Sequence, residues 1–221
     1  MNPDQILKQL YDDTLVGNKP SVVELTQRGI EMGMEPELLL FEALIPALEE
    51  VGARFERGDF FVPEMLIAGR AMTGALALLR PLLADSGAEP IGTFLMGTVK
   101  GDVHDIGKNL VDIMLEGAGF NVIDLGVQVA PETFVEAIRE HKPQVVGFSA
   151  FLTTTMPMFK VNIQAIAKAG LRDEVVIMVG GAPVTQEYAD AVGADGYAAD
   201  AATATRRAKE LLQKRRASAV A

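Results

Sequence analysis

Residues 101 to 109 read GDVHDIGKN and hold one of the chain's two histidines, with Asp102 two positions before His104 and Asp105 directly after it. A neutral imidazole is a common metal ligand, and its second nitrogen typically donates to a carboxylate that fixes the tautomer, a pairing Asp102 and His104 can supply. The same spacing also suits a helix N-cap made by the aspartates, with His104 filling the turn. The glycines and Lys108 suggest a third reading, a phosphate-binding loop. That reading fails twice, because five residues rather than four separate Gly101 from Gly107, and Asn109 stands where a hydroxyl residue should hold magnesium. Asp102 and Asp105 would also repel a polyphosphate from a helix N-terminus.

A protein-built zinc or iron site needs three or four donors. The chain has no cysteine, and His141 falls at the end of an expected helix that runs away from the loop. One protein nitrogen points instead to a metal brought in by a macrocycle. The capped turn stays open on spacing alone.

The loop lies between the apolar run IGTFLMGTV and the amphipathic IGKNLVDIMLEGAG. NVIDLG, QVVGFSA, VVIMVGG and DGYAAD continue the strands, and PETFVEAIREH, TMPMFKVNIQAIAKAG, TQEYADAVG and a C-terminal helix alternate with them. Nearly continuous apolar strands alternating with helices imply an α/β domain with a doubly wound, Rossmann-like or flavodoxin-like, five-stranded parallel sheet. Ligands of such sheets bind beyond the carboxyl ends of the strands, near the switch in strand order. The loops after strands one, three and four are therefore the functional ones: GDVHDIGKN, FSAFLTTT and GGAPVT.

Before residue 85 the period is helical, in ILKQLYDDTL, VVELTQRGIEMGM, LLLFEALIPALEEVGARF and MLIAGRAMTGALALLRPLL. Short connections favour a four-helix bundle, and Pro46 predicts a kink in the third helix. DSGAEP, residues 85–90, marks the boundary, giving a helical domain at 1–86 and an α/β domain at 87–221 with a hinge around 84–90.

A chain of 221 residues, 49% hydrophobic and 23% charged, can bury a proper core. No apolar run approaches the roughly 20 residues that span a bilayer, and the acidic N-terminus lacks the basic flank of a signal peptide, so a cytoplasmic protein is expected. The lack of cysteine excludes disulfides and a thiolate nucleophile. A net charge of −10 argues against nucleic acid, and the basic cluster Arg206 to Arg216 reads as a solvated helix face.

The stretch GTVKGDVHDIGKNLV resembles the Asp-x-His-x-x-Gly signature of cobalamin-binding domains, in the form found in methionine synthase and the corrinoid methyltransferase systems, and the resemblance extends over both domains. It implies a cobalamin or related corrinoid bound base-off and His-on, with His104 as the lower cobalt ligand, Asp102 hydrogen-bonded to it, and Ser149 as the next polar member of the relay. It further implies Val103, Asp105, Ile106, Phe151 and Thr153 as cofactor-binding positions, and a slot for the displaced nucleotide tail where Gly107, Gly180 and Gly181 let backbone approach the ligand. Ser149-Ala150-Phe151 departs from the family's usual Ser-x-Leu and puts the wall of that slot in question.

RFERGDFFVPEML resembles the segment of the helical cap that covers the upper face of the cobalt, with Phe55 and Val62 at the capping positions and Phe60 and Phe61 read as core packing. The implied activity is that of a methyl carrier in one-carbon metabolism, its cobalt alternating between Co(I) and methyl-Co(III). Substrate-specific methyltransferases would deliver the methyl group, a second methyltransferase would pass it to tetrahydrofolate or a thiol, and a reductive activator would restore Co(I). The alternatives are a cobalamin-dependent sensor or regulator, against which the lack of a visible DNA-binding module counts, as the lack of tryptophan does against its light-sensing form, and a corrinoid storage protein. A carbon-skeleton mutase subunit is disfavoured by the four leading helices.

Overall fold

The computed structural model describes residues 1–86 and 90–220. They form two compact units, Met1–Pro90 with Glu116–Gly119, and Ile91–Leu115 with Phe120–Ala221. Of the expected boundary and hinge, residues 87–89 lie outside the described residues, whereas residues 84–86 are still helical.

In the first unit, helix α1 (Pro3–Leu15) begins with a capping box in which the Asn2 side chain accepts from the Gln5 backbone and the Gln5 side chain accepts from that of Asn2. Helix α2 (Lys19–Glu31) follows. The third expected helix is a composite of α3 (Pro36–Leu39), a π-helical turn (Leu40–Leu44) and α4 (Ile45–Glu56). The cause sits just downstream: Pro46 has no N–H for the carbonyl one turn back, and its ring crowds that carbonyl, so the wider turn absorbs the mismatch.

Helix α5 (Val62–Ser86) closes the unit. Its segment Val62–Leu83 is long and apolar enough, by length and composition, to cross a membrane, which corrects the expectation that no run reaches that length. In this structure it is a core helix, with Met65, Ala68, Ala71, Met72, Ala75, Leu76 and Leu79 buried on an i, i+3, i+4 stripe.

The second unit is a parallel sheet of β1 (Gly92–Thr98), β2 (Phe120–Asp124), β3 (Val145–Ser149), β4 (Val176–Gly180) and β5 (Gly196–Ala198), in the order β2-β1-β3-β4-β5. Helices α6 (Ile106–Gly117), α7 (Pro131–His141), α8 (Met158–Lys168), α9 (Gln186–Val192) and α10 (Ala201–Val220) connect and flank the strands. This is the doubly wound order, and its switch point lies between β1 and β3. Nearly every residue of β1, β3 and β4 is buried, as a sheet covered on both faces requires. Phe148 of β3 meets Phe134 of α7 edge-on and stacks on Phe159 of α8 in one core, each worth roughly 1.5–3 kcal/mol of burial.

The basic stretch of α10 is engaged rather than merely solvated. Arg216 donates to the Ile91 carbonyl at 2.6 Å and Arg215 to that of Asp173 at 2.7 Å, tying the helix to backbone that precedes β1 and β4.

Candidate functional site

Beyond the carboxyl end of β1 the chain turns sharply. Gly101 adopts φ +86°, the Asp102 N–H returns to the Val99 carbonyl, and α6 starts at Ile106. The turn buries the Asp102 side chain completely and leaves the His104 side chain 44% exposed. Oδ1 of Asp102 lies 2.7 Å from His104 Nδ1 and also accepts the His104 N–H at 3.1 Å. Oδ2 accepts from the Phe151 N–H at 2.8 Å, the Leu152 N–H at 3.2 Å and the Thr155 hydroxyl at 2.7 Å.

These contacts decide the electrostatics. Burial pushes the Asp102 carboxyl up, but the Thr155 hydroxyl, the His104 ring and the His104 and Phe151 amides together outweigh it and hold the group well below the usual carboxylate range. An ionised Asp102 accepts the proton on Nδ1, so the hydrogen-bond network assigns the lone pair to Nε2. The ring is further fixed by stacking on Phe151, with centroids 4.4 Å apart and planes at 27°. A rigid, oriented imidazole with one outward lone pair is a ready metal ligand. His141 is remote in the fold, ending α7, and among the described residues no cluster of three or more His, Asp or Glu forms a metal-binding set.

Ser149 does not take the place expected of it. It ends β3 with its carbonyl accepting the Val99 N–H, and no hydrogen bond joins its hydroxyl to Asp102 among the described residues. Thr155 replaces it. A turn in the loop after β3, in which the Thr155 N–H meets the Leu152 carbonyl at 3.0 Å, buries that hydroxyl against Oδ2, whereas Thr153 is left exposed. Sequence reading missed Thr155 because three consecutive threonines, 153 to 155, look equivalent until the turn selects one. It also missed Thr98, whose hydroxyl donates to the His104 carbonyl at 3.0 Å, and Gln128, whose N–H donates to the Asp102 carbonyl at 3.0 Å.

The glycines separate into two kinds. A Cβ on Gly107 would meet nothing within 4 Å, so its missing side chain leaves open space in the first turn of α6. Gly181, at φ +130°, is required by the protein itself, since an added Cβ would collide with the Ala150 carbonyl. Gly180 is intermediate, with the Ala198 carbonyl 3.1 Å from an added Cβ.

The rim is apolar. Val103, Ile106, Val127, Phe151 and Leu152 are exposed large hydrophobics on the segments that follow β1, β2 and β3, whereas Asp105 is an exposed carboxylate beside His104. A soluble surface normally avoids such a concentration unless it receives an apolar body. An exposed apolar rim, one outward imidazole nitrogen and the space at Gly107 together fit a flat metallo-macrocycle better than a phosphate. Lys108, the residue a phosphate loop would use, is buried and paired with Asp112 and Asp124.

In the helical unit, Phe55 is half-buried near the end of α4, and Val62, the first residue of α5, is exposed. Phe61 is 65% exposed, which corrects its reading as core packing, and Phe60 is half-buried with the Arg54 guanidinium 5.2 Å from its ring centroid.

Residues 92–206 match the family described as B12 binding domain, and residues 6–80 match a second family of the same description. The chain is 40% identical over 213 residues to the dimethylamine corrinoid protein of Methanosarcina barkeri, covering 96% of this chain and 100% of that protein. Its structure is similar to that of the methanol:cobalamin methyltransferase complex MtaBC from Methanosarcina barkeri, with a TM-score of 0.83, 30% identity and coverage of 96% of this chain and 81% of that one. It also resembles the Methanosarcina barkeri monomethylamine corrinoid protein, with a TM-score of 0.54, 33% identity and coverage of 95% and 100%.

Proposed function

The chain belongs to the B12-binding family of corrinoid proteins, and from that premise we propose that it is the methyl-carrying corrinoid protein of a methyltransferase system, in which His104 would ligate the cobalt of a base-off corrinoid. The single observation that carries this reading is the Asp102–His104 pair, in which a fully buried, ionised carboxylate holds Nδ1 at 2.7 Å and leaves Nε2 as the free donor on an exposed ring.

A bound corrinoid would supply the methyl-transfer chemistry, through a cobalt that can take up and give away a methyl group. The chain's own part is ligand control. Asp102 accepts the Nδ1 proton and so keeps Nε2 as the nitrogen turned outward for coordination.

Thr155 completes the shell of the carboxylate. Its hydroxyl lies 2.7 Å from Oδ2 of Asp102 and 2.8 Å from the Leu152 carbonyl, yet has one hydrogen to give. With Asp102 ionised that hydrogen goes to Oδ2, beside the Phe151 and Leu152 N–H groups.

Val103, Ile106, Val127, Phe151 and Leu152 would hold the macrocycle by apolar contact and keep water from it. Gly107, Gly180 and Gly181 would border the nucleotide tail, and Phe55 and Val62 would belong to the cap. Separate methyltransferases would load the methyl group and transfer it to tetrahydrofolate or a thiol, a reductive activator would restore Co(I), and the whole system would be cytoplasmic. Dialysis with methylcobalamin and with hydroxocobalamin tests the carrier, followed by anaerobic reduction and addition of iodomethane. Stoichiometric binding and remethylation of the protein-bound cobalt support it; binding without remethylation contradicts the carrier, and no binding contradicts the cofactor.

A further inference from the structure

Lys108 is an unusual lysine. It sits in the first turn of α6 almost wholly buried, and its Nζ meets three acceptors: Asn109 Oδ1 at 2.8 Å, Asp112 Oδ2 at 2.9 Å and Asp124 Oδ2 at 2.6 Å. All three ammonium hydrogens are used inside the protein. Burying an ammonium carries a large desolvation cost, and a lysine serving only solubility would remain in water. Proton chemistry at the site does not use it either, because none of its contacts reaches Asp102 or His104.

From Asp124 the hydrogen bonds continue toward the histidine. Oδ1 of Asp124 accepts the Gly126 N–H at 2.7 Å, the Gly126 carbonyl accepts the Thr98 N–H at 2.9 Å, and the Thr98 hydroxyl donates to the His104 carbonyl at 3.0 Å. Two residues along the same loop, the Gln128 N–H donates to the Asp102 carbonyl at 3.0 Å. Gln128 makes that bond from φ +54°, a left-handed conformation that a non-glycine residue keeps only where its surroundings determine it. The carbonyls of Asp102 and His104 are thus both held by groups that trace back to Asp124, and Asp124 is held by Lys108.

We propose that Lys108 is a positioning residue for the histidine: its buried ammonium ties the first turn of α6 to the end of β2 and, through the loop after β2, fixes the backbone on which the Asp102–His104 pair is built. The proposal deepens the corrinoid reading and rests on it only for what His104 ligates. It separates Lys108 from an ordinary buried ion pair, which would stabilise the domain without affecting the state of a side chain four residues away.

The test uses the full-length protein without added cofactor, so it stands whether or not a corrinoid binds. Nitrogen NMR of histidine-labelled protein, at alkaline pH where both imidazoles are neutral, reads the ratio of the Nδ1–H to the Nε2–H tautomer at His104, with His141 as internal control. The wild type should be dominated by Nδ1–H. Lys108→Met should lower that ratio several-fold with His141 unchanged, Thr98→Val should lower it by part of that amount, and the double variant should lose less than the sum, because the two changes cut one path. If Lys108→Met fails to fold, Asp124→Asn asks the same question at a carboxylate that is 41% exposed and better able to tolerate exchange. A folded Lys108→Met or Asp124→Asn protein that melts lower but keeps the wild-type ratio would overturn the proposal and leave Lys108 a stabilising residue only.

Discussion

Thr155 donates its hydroxyl to Asp102 at 2.7 Å across 53 positions of the chain, closing the hydrogen-bond shell of the carboxylate that orients His104. A neutral hydroxyl bonded to a buried charge is worth about 1.5–3 kcal/mol. Thr155→Val should therefore destabilise the protein by that order in urea unfolding, whereas Thr155→Ser should retain most of the stability. Ser149→Ala should change it by less, since that hydroxyl does not reach Asp102.

Asp102 should also leave a signature in acid. Its folded pKa is depressed, so the stability it contributes is fully present above the ordinary carboxylate value of about 3.9 and is lost as pH falls from there toward the lower folded value. Asp102→Asn removes that contribution and turns amide hydrogens toward donors, stranding at least one buried group at a cost of about 1–3 kcal/mol. Unfolding free energies measured from neutral to acid pH should show a shallower acid slope for the variant. An unchanged slope would mean that the carboxylate does not carry the charge assigned to it.

The two loop glycines predict opposite outcomes. Gly107 has open space around it, so Gly107→Ala should keep or raise the stability of the unliganded protein by up to about 1 kcal/mol while weakening corrinoid binding, because the methyl group takes ligand space. Gly181→Ala meets backbone and an unfavourable φ, and should destabilise the protein by about 1–3 kcal/mol or more. Thermal melts with and without hydroxocobalamin distinguish the two.

Much of this architecture is written in local pattern. Five apolar runs alternating with amphipathic helices correspond to the five-stranded sheet, because a strand buried on both faces must be apolar throughout. The Asp102–His104 pair is legible for a similar reason: two residues apart in one turn, they meet without help from the rest of the fold.

What sequence concealed depends on distant chain. Thr155 differs from Thr153 only through the turn that buries it, and Lys108 looks like a solvent lysine until Asp124, at the end of β2, is brought to 2.6 Å. The π turn before Pro46 shows the intermediate case. A disturbance was readable from the proline, but its form depended on how the flanking helix accommodates one missing hydrogen bond.

Ligation of cobalt by His104 is tested most directly by the ultraviolet–visible spectrum of methylcobalamin bound to the wild type beside His104→Ala. The wild type should bind stoichiometrically with a spectrum of nitrogen-coordinated methylcobalt, and His104→Ala should shift to the base-off form with binding retained through the apolar rim. Identical spectra from the two proteins would contradict it, leaving the corrinoid in place and removing His104 as its ligand.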